Sequence, residues 1–391
     1  MTIIIGIDIA KYHHQALILS ENGEVIVNSF SFENNHQGFQ EFHHVLLSLD
    51  PTHKIKIGFE ATGHYGNNLK NFLMNLGFDF MEIHPVLINQ FSKAYTLRKT
   101  KTDKLDVKVI CSYLTSVDYQ PYLTESYHIN QLKSLTRFRD SLVKQRSLQL
   151  QSMTNIMDHL FPEFKPFFKN SLKSATAIYL LTSFETPSRI ARLNLNSYNK
   201  MKSQLHRTIS YARFCELKTL AKNTIGIEDP LRTFQLQACL KLYLEYHHQI
   251  QETEQLIEYE FSKVTSHIQT IPGIGLISAA GIYSEIGGIS RFNHPDKLVS
   301  FCGLDVSYYQ SGEAEFTGRM VKRGSSYLRQ YLMNVATTSL IHNPHLYEYY
   351  SKKRREDKHH RVALSHVAKK LVRTIFKLET DQIDFDIEKV R

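Results

Sequence analysis

No apolar run in this sequence approaches the ~18 residues that a membrane-spanning helix needs, which argues against a membrane protein. The opening Met1-Thr2-Ile3-Ile4-Ile5 runs straight to Gly6 and Asp8. It lacks a basic leader and is too short in apolar residues for a signal peptide. Cysteine is scarce and scattered: Cys111, Cys215, Cys239 and Cys302 form no CxxC pair, which excludes a zinc ribbon and a disulfide framework. The cysteine pattern argues for a reducing cytoplasm. Internal repeats and low-complexity tracts are also missing. Histidine is plentiful, but His13-His14, His43-His44, His247-His248 and His359-His360 have neither HExxH spacing nor cysteine partners. They read as solvated or packed residues.

What the chain does have is length and positive charge. Its 391 residues suffice for two or three domains, and 42% apolar with 22% charged residues is ordinary for a globular protein. The net charge of +9 and the pI near 9.1 point to a polyanionic partner, for which nucleic acid is the usual choice. Nine Lys/Arg against Glu356 and Asp357 fall between Ser351 and Arg373, so most of the excess sits in one C-terminal segment. On charge alone, a solvated helix face explains that segment equally well.

Residues 1–120 read as α/β. Ile3–Ile9, Gln15–Leu19 and Glu24–Phe32 are β-branched or alternating runs, the last two joined by the hairpin signal Asn22-Gly23. Helices are expected over Gly38–Leu49, Asn67–Leu76, Pro85–Tyr95 and Asp103–Leu114, with strands at Ile55–Glu60 and Phe78–Ile83. Three hairpin-joined strands followed by alternating helices and strands is the element order of a ribonuclease-H-like fold. Residues 121–265 turn helical and heptad-like through Leu236, Leu240, Tyr243, His247, Ile250, Glu254, Ile257, Phe261 and Val264, with two polar interruptions. A weaker pattern through Leu135, Leu142, Met153, Ile156 and Leu160 ends at Pro162 and Pro166. Two arms of an antiparallel coiled coil with a small helical unit between them (roughly 167–226) are expected, against the plainer reading of a helical bundle. A glycine-richer segment, 266–350, precedes a basic C-terminal helix and tail, 351–391.

Four acids stand out. Asp8 and Glu60 each lie near the end of an apolar strand, where a carboxylate is costly unless it meets solvent or a cation. Asp103 and Asp106, spaced i, i+3, fall on one helix face. Carboxylates gathered in one site repel unless divalent cations compensate them, and hard oxygen donors suit Mg²⁺ or Mn²⁺. Two such ions would stabilise attacking and leaving oxygens in phosphoryl transfer. Arg98, Lys99 and Lys101, with Lys104 and Lys108, put phosphate-attracting charge beside the acids. Taken singly, each acid is explained by a turn or a helix start; the combination points to chemistry.

Further along, Ile271-Pro272-Gly273-Ile274-Gly275 has the hGhG pattern of a helix–hairpin–helix. Backbone N–H groups at Gly273 and Gly275 could meet a DNA phosphate there, and a tight interhelical turn is the alternative. Arg319, Lys322, Arg323 and Arg329 cluster around Gly318 and Gly324. Ser311-Gly312 alone is an ordinary loop pair, and no base that would activate the serine is visible from spacing.

Taken together these segments resemble the DEDD transposases of bacterial insertion sequences, a family that includes Piv-type DNA invertases and bridge-RNA-guided recombinases. The matching stretches are Gly6-Ile7-Asp8-Ile9-Ala10-Lys11, Glu60-Ala61-Thr62-Gly63-His64-Tyr65 and Arg98 through Asp106. In the C-terminal half they are Ile271 through Gly275, Gly303-Leu304-Asp305, Gln310-Ser311-Gly312 and Lys322 through Arg329. The order is the family's along nearly the whole chain. Two departures occur: Gly303-Leu304-Asp305-Val306 where relatives often carry Gly-Leu-x-Pro, and Val321-Lys322-Arg323-Gly324 where Ser-Lys-x-Gly is usual.

The resemblance implies a RuvC-like catalytic domain over 1–120, a coiled-coil oligomerisation region over 121–265 and a transposase domain with a serine nucleophile over 266–350. It implies that Asp8, Glu60, Asp103 and Asp106 hold Mg²⁺ and that Ser311 attacks the scissile phosphate, the acids and serine meeting across protomers. It also implies DNA ends and target as substrates, a dimer or tetramer, and a structured guide RNA. A junction-resolving endonuclease that shares the acids but uses water, and a non-catalytic nucleic-acid scaffold, are the competing readings.

Overall fold

The computed structural model describes residues 2–61, 63–95, 103–119, 127–169, 171–311 and 314–389, with backbone alone at 95, 103, 104, 127, 128, 307–311, 314–317, 319 and 389. The chain divides into two units, Met1–Thr124 and Glu125–Arg391.

The first unit is a five-stranded mixed sheet with helices on both faces. Strands β1 (Thr2–Ile9), β2 (His13–Ser20) and β3 (Val25–Glu33) form an antiparallel meander. The turn before β3 contains Gly23 at φ +83°, a conformation that glycine adopts without strain. Helix α1 (His36–Leu47) leads to β4 (Lys54–Glu60), helix α2 (Asn67–Asn75) to β5 (Phe80–Ile83), and α3 (Pro85–Tyr95) and α4 (Asp103–Ser116) complete the unit. The sheet order is β3-β2-β1-β4-β5, with β4 parallel to both β1 and β5. Alternation along the strands feeds two separate cores. Ile3, Ile5, Ile7, Ile57 and Phe59 pack with Phe42, Leu46, Leu69 and Leu73 of α1 and α2. Ile4, Leu17 and Leu19 pack with Val107, Ile110, Cys111 and Leu114 of α4 on the other face.

The second unit is helical. Helices α5 (Tyr127–Leu160) and α11 (Pro230–Phe261) lie side by side, and five shorter helices intervene: α6 (Phe164–Phe167), α7 (Ala175–Phe184), α8 (Pro187–Ala191), α9 (Leu195–Gln204) and α10 (Tyr211–Lys222). The polar interruptions of the α11 heptads are cross-helix rungs. Arg139 donates to Glu254 at 2.7 and 2.9 Å, and Arg146 lies 2.9 Å from His247. Seven residues forward on α5 match seven residues back on α11, so the pair is antiparallel. Leu236, Leu240, Ile250, Ile257 and Phe261 are buried on the same helix.

After α11 come α12 (Leu276–Ile286), α13 (Pro295–Phe301), a hairpin of β6 (Val306–Ser311) and β7 (Ala314–Met320), and helices α14 (Ser326–His342), α15 (Pro344–Arg355) and α16 (His360–Asp381). Their core includes Leu132, Ile257 and Phe261 from the two long helices alongside Leu298, Leu328, Val335, Val367 and Leu371. No helix among the described residues is long and apolar enough to cross a membrane.

Candidate active site and nucleic-acid contacts

Strands β1 and β4 run in register, Gly6 beside Gly58 and Ile7 beside Phe59, so Asp8 and Glu60 end neighbouring parallel strands. Alternation puts both acids on the face that carries α4. The glycines make that helix fit. A Cβ on Gly6 would stand 2.6 Å from the Cys111 sulfur and 3.0 Å from the Val107 carbonyl; on Gly58 it would stand 2.6 Å from Leu114. The helix direction follows from its ends. Tyr119, just beyond α4, places its hydroxyl 3.1 Å from the Ile57 carbonyl, in the middle of β4. Its N-terminal turn therefore points the other way, toward the strand ends. Two strand residues beyond Gly6 advance roughly 6.6 Å, and four helix residues back from Val107 advance roughly 6 Å. The helix start that carries Asp103 and Asp106 is thus level with Asp8.

Asp8, Glu60 and Asp106 are half-buried. Asp103 is described by its backbone alone, at the first position of α4, and Arg98, Lys99 and Lys101 lie outside the described residues. Among the described residues no three His, Cys, Asp or Glu side chains are close enough together to hold a metal. Carboxylate oxygens at the strand ends suit a hard divalent cation, and two softer groups of the same sheet, Cys111 and His14, are buried away from it. Cys111 is buried beneath Gly6, and burial pushes its thiol up to about 12. His14 is fully buried on the opposite face between Phe32 and Phe39, and burial pushes it down to about 4.

In the second unit Ser311 pairs with Ala314 as the last rung of the β6–β7 hairpin, which puts it at the tip. The side chains of Ser311 and Arg319 are not among those described. The root of the hairpin is backbone packed on backbone. Gly303, at φ +66°, would drive a Cβ into the Arg323 carbonyl, and Gly324, at φ +90°, would drive one into that of Phe301. Lys322 and Arg323 leave this root exposed, and Arg329 reaches the Cys302 carbonyl at 3.4 Å.

Of the hGhG glycines, Gly273 (φ +93°) packs against the backbone of Ser339, and its carbonyl accepts from Thr338 at 2.9 Å. Gly275 starts α12 with no side-chain cap, and a Cβ there would meet nothing. Gly273 thus has a packing role, and Gly275 is the better placed of the two for an external partner.

One group was not foreseen from the sequence. Glu285 on α12 is 1% exposed and accepts a fork from Arg137 of α5, at 2.6 and 3.0 Å. Its Oε2 also accepts from Ser325 at 2.7 Å, and Ser325 caps α14 by accepting from the Leu328 amide. Burial opposes the charge, but the Arg137 fork and the Ser325 hydroxyl outweigh it and hold the carboxyl below its ordinary value. The signal was available: Glu285 is the lone acid in the apolar run Leu276–Ile286.

Comparison with known proteins agrees with this layout. A transposase family profile of the DEDD IS110 type matches residues 5–162, and one described as the transposase IS116/IS110/IS902 family matches residues 265–351. Together they span well over half of the chain and contain both the strand-end acids and the hairpin. Three relatives are similar at low identity. The insertion element IS116 uncharacterized 44.8 kDa protein of Streptomyces clavuligerus is 22% identical over 97% of this chain and 94% of its own. The transposase for insertion sequence element IS1111A of Coxiella burnetii is 22% identical over 87% and 78%, respectively. The pilin gene-inverting protein of Moraxella bovis is 24% identical over 79% and 73%. The chain belongs to the DEDD-type transposases of insertion sequences. It is an enzyme of the DNA transposase and recombinase class, and that class uses divalent metal.

Proposed function

We propose that this enzyme cuts and rejoins DNA strands in a ribonuclease-H-like, RuvC-type domain working with a serine nucleophile. The observation that carries the reading is the adjacent ending of β1 and β4 at Asp8 and Glu60, with the start of α4 level with them. Asp8, Glu60, Asp103 and Asp106 hold two Mg²⁺ or Mn²⁺ ions, which supply charge compensation for phosphoryl transfer. The sheet order, three antiparallel strands followed by two parallel additions, supports the fold assignment.

Ser311 at the hairpin tip attacks phosphorus through Oγ, and one deoxyribose oxygen leaves as the serine becomes a phosphodiester. The reverse attack by a new strand end releases the serine and restores a continuous backbone. Lys322, Arg323, Arg329, Arg319, Gly275 and the Arg98–Lys101 segment contact phosphates. The protein works in the cytoplasm as a homo-oligomer, with a structured RNA guiding the choice of DNA. The outward face of α11 supports oligomerisation, since Leu231, Phe234 and Leu242 are 75%, 73% and 47% exposed along one helical row.

The test is covalent trapping. With Mg²⁺ and suicide substrates containing the element ends, the native enzyme should form a protein–DNA adduct that Ser311→Ala abolishes. Asp8→Asn and Asp106→Asn should prevent its formation at unchanged DNA affinity. Hydrolysis that persists in Ser311→Ala without any adduct would instead identify a water-using endonuclease. RNA of defined length copurifying with the protein is expected for the guided reaction.

A further inference from the structure

The strongest charge feature of the molecule lies outside both candidate sites. Helix α15 ends in Lys352, Lys353, Arg354 and Arg355, and the chain turns through Lys358 into α16, which carries Arg361 in its exposed first turn and His366, Lys369, Lys370 and Arg373 along its outer face. Few carboxylates answer this charge. Glu356 takes Lys353 at 2.9 Å and Lys358 at 3.6 Å, and Asp296 takes Arg373 at 2.9 Å. Among the described residues, Lys352, Arg355, Arg361, Lys369 and Lys370 make no ion pair. Lys370, and Lys353 besides its pair with Glu356, approach the same Tyr349 ring, at 5.3 and 5.6 Å from its centroid.

Neighbouring cations add to burial at two protonatable groups. Burial, then Lys369, Lys353 and Lys358, depress His366; burial, then Arg373, depress Lys369, with Asp305 opposing. Asp305, whose charge acts on Lys369, adjoins the hairpin. Its carbonyl accepts from Val321 at 3.0 Å, and Val306 pairs with Met320, so Lys322 and Arg323 emerge directly beside it. Positive charge therefore continues from the α15–α16 turn along α16 to the root of β6–β7.

We propose that this surface is a track for the phosphate backbone of duplex DNA, leading it toward the hairpin tip. The dimensions fit. Arg361 to Arg373 spans about 18 Å along the helix at 1.5 Å per residue, which is about five base pairs at 3.4 Å each. Lysines and arginines without carboxylate partners give charge neutralisation with no base readout, so binding along the track is indifferent to sequence. Duplex DNA rather than folded RNA is the occupant because the track ends at the hairpin carrying Ser311; this choice rests on the proposed function above.

The experiment measures equilibrium binding of full-length Ser311→Ala protein to a random-sequence duplex by fluorescence anisotropy over a salt titration. No step requires catalysis, so the outcome is separate from that of adduct trapping. Lys352→Gln, Arg355→Gln and Arg361→Gln are combined, because all three side chains are exposed and outside any ion pair. The log–log salt slope should fall by about 2 to 3, near one unit per lost phosphate contact. A triple of Lys200→Gln, Lys202→Gln and Lys222→Gln, with the same loss of charge among α9 and α10, should leave the slope unchanged. An unchanged slope in the first triple, an equal fall in both, or a fall seen with a folded RNA of matched length but not with the duplex would each overturn the proposal.

Discussion

Removing Arg137 tests whether the buried carboxylate at the centre of the second unit is held by charge. In Arg137→Ala, Glu285 stays 1% exposed and loses both bonds of the fork, while the Ser325 hydroxyl and the charge of Lys133 remain. Stripping one partner from a fully buried pair costs roughly 3–5 kcal/mol. The Arg137 side chain is 43% exposed and Ser325 remains, so water and one hydrogen bond recover part of this. The expected loss at pH 7 is about 2–3 kcal/mol.

The pH dependence gives the sharper criterion. In the native chain the Glu285 carboxyl lies below its ordinary 4.5, so its stabilisation is present above that pH and is lost as pH falls through the lower folded value. Without Arg137, burial dominates and the folded value moves above 4.5. The penalty is then present at pH 7 and fades as the acid takes up a proton. Urea unfolding followed by circular dichroism should therefore show a deficit that shrinks by more than half between pH 7 and about pH 4. Adding Glu285→Gln should recover stability at pH 7, because the orphaned charge is gone. A deficit equal at both pH values, or one below about 1 kcal/mol at pH 7, would refute the reasoning.

Other consequences can be measured on the same footing. Gly6→Ala puts a methyl 2.6 Å from the Cys111 sulfur and should cost about 1–3 kcal/mol by displacing α4. DNA cleavage should fall further than stability does, with partial rescue by Cys111→Ala, and full activity in Gly6→Ala would count against the carboxylate site. His14 is fully buried and pushed down to about 4, so the unfolded chain takes up its proton first as pH falls below 6.5. Between pH 6.5 and 4 this removes about 3 kcal/mol from the first unit, and His14→Phe should lose that acid sensitivity in denaturant titrations. Leu231→Asp with Phe234→Asp should lower the mass seen by analytical ultracentrifugation, and an unchanged mass would exclude this row from the oligomer contact.

The features that could be read in advance are those with a local physical cause. Ile3–Ile9 forms a strand because a β-branched run suits a buried pleat, and it appears as Thr2–Ile9. Asn22-Gly23 announces the next hairpin because its turn needs positive φ, and Gly23 has it. Asp103 and Asp106 declare a shared face through helical spacing alone, and the two polar breaks in the α11 heptads sit where the arms exchange hydrogen bonds.

What stayed hidden depends on contacts between distant residues. Arg137 and Glu285 are 148 positions apart, so neither predicts the other, although an acid within an apolar helix was as unusual as Asp8 within an apolar strand. Gly6 and Gly58 carry a fainter sign. A glycine inside a strand marks a close backbone approach, and each stands two residues before an acid on the same face. Packing and chemistry are linked at those positions. The missing side chains let α4 lie flat on β1 and β4, and that close approach brings the start of the helix level with the strand-end acids.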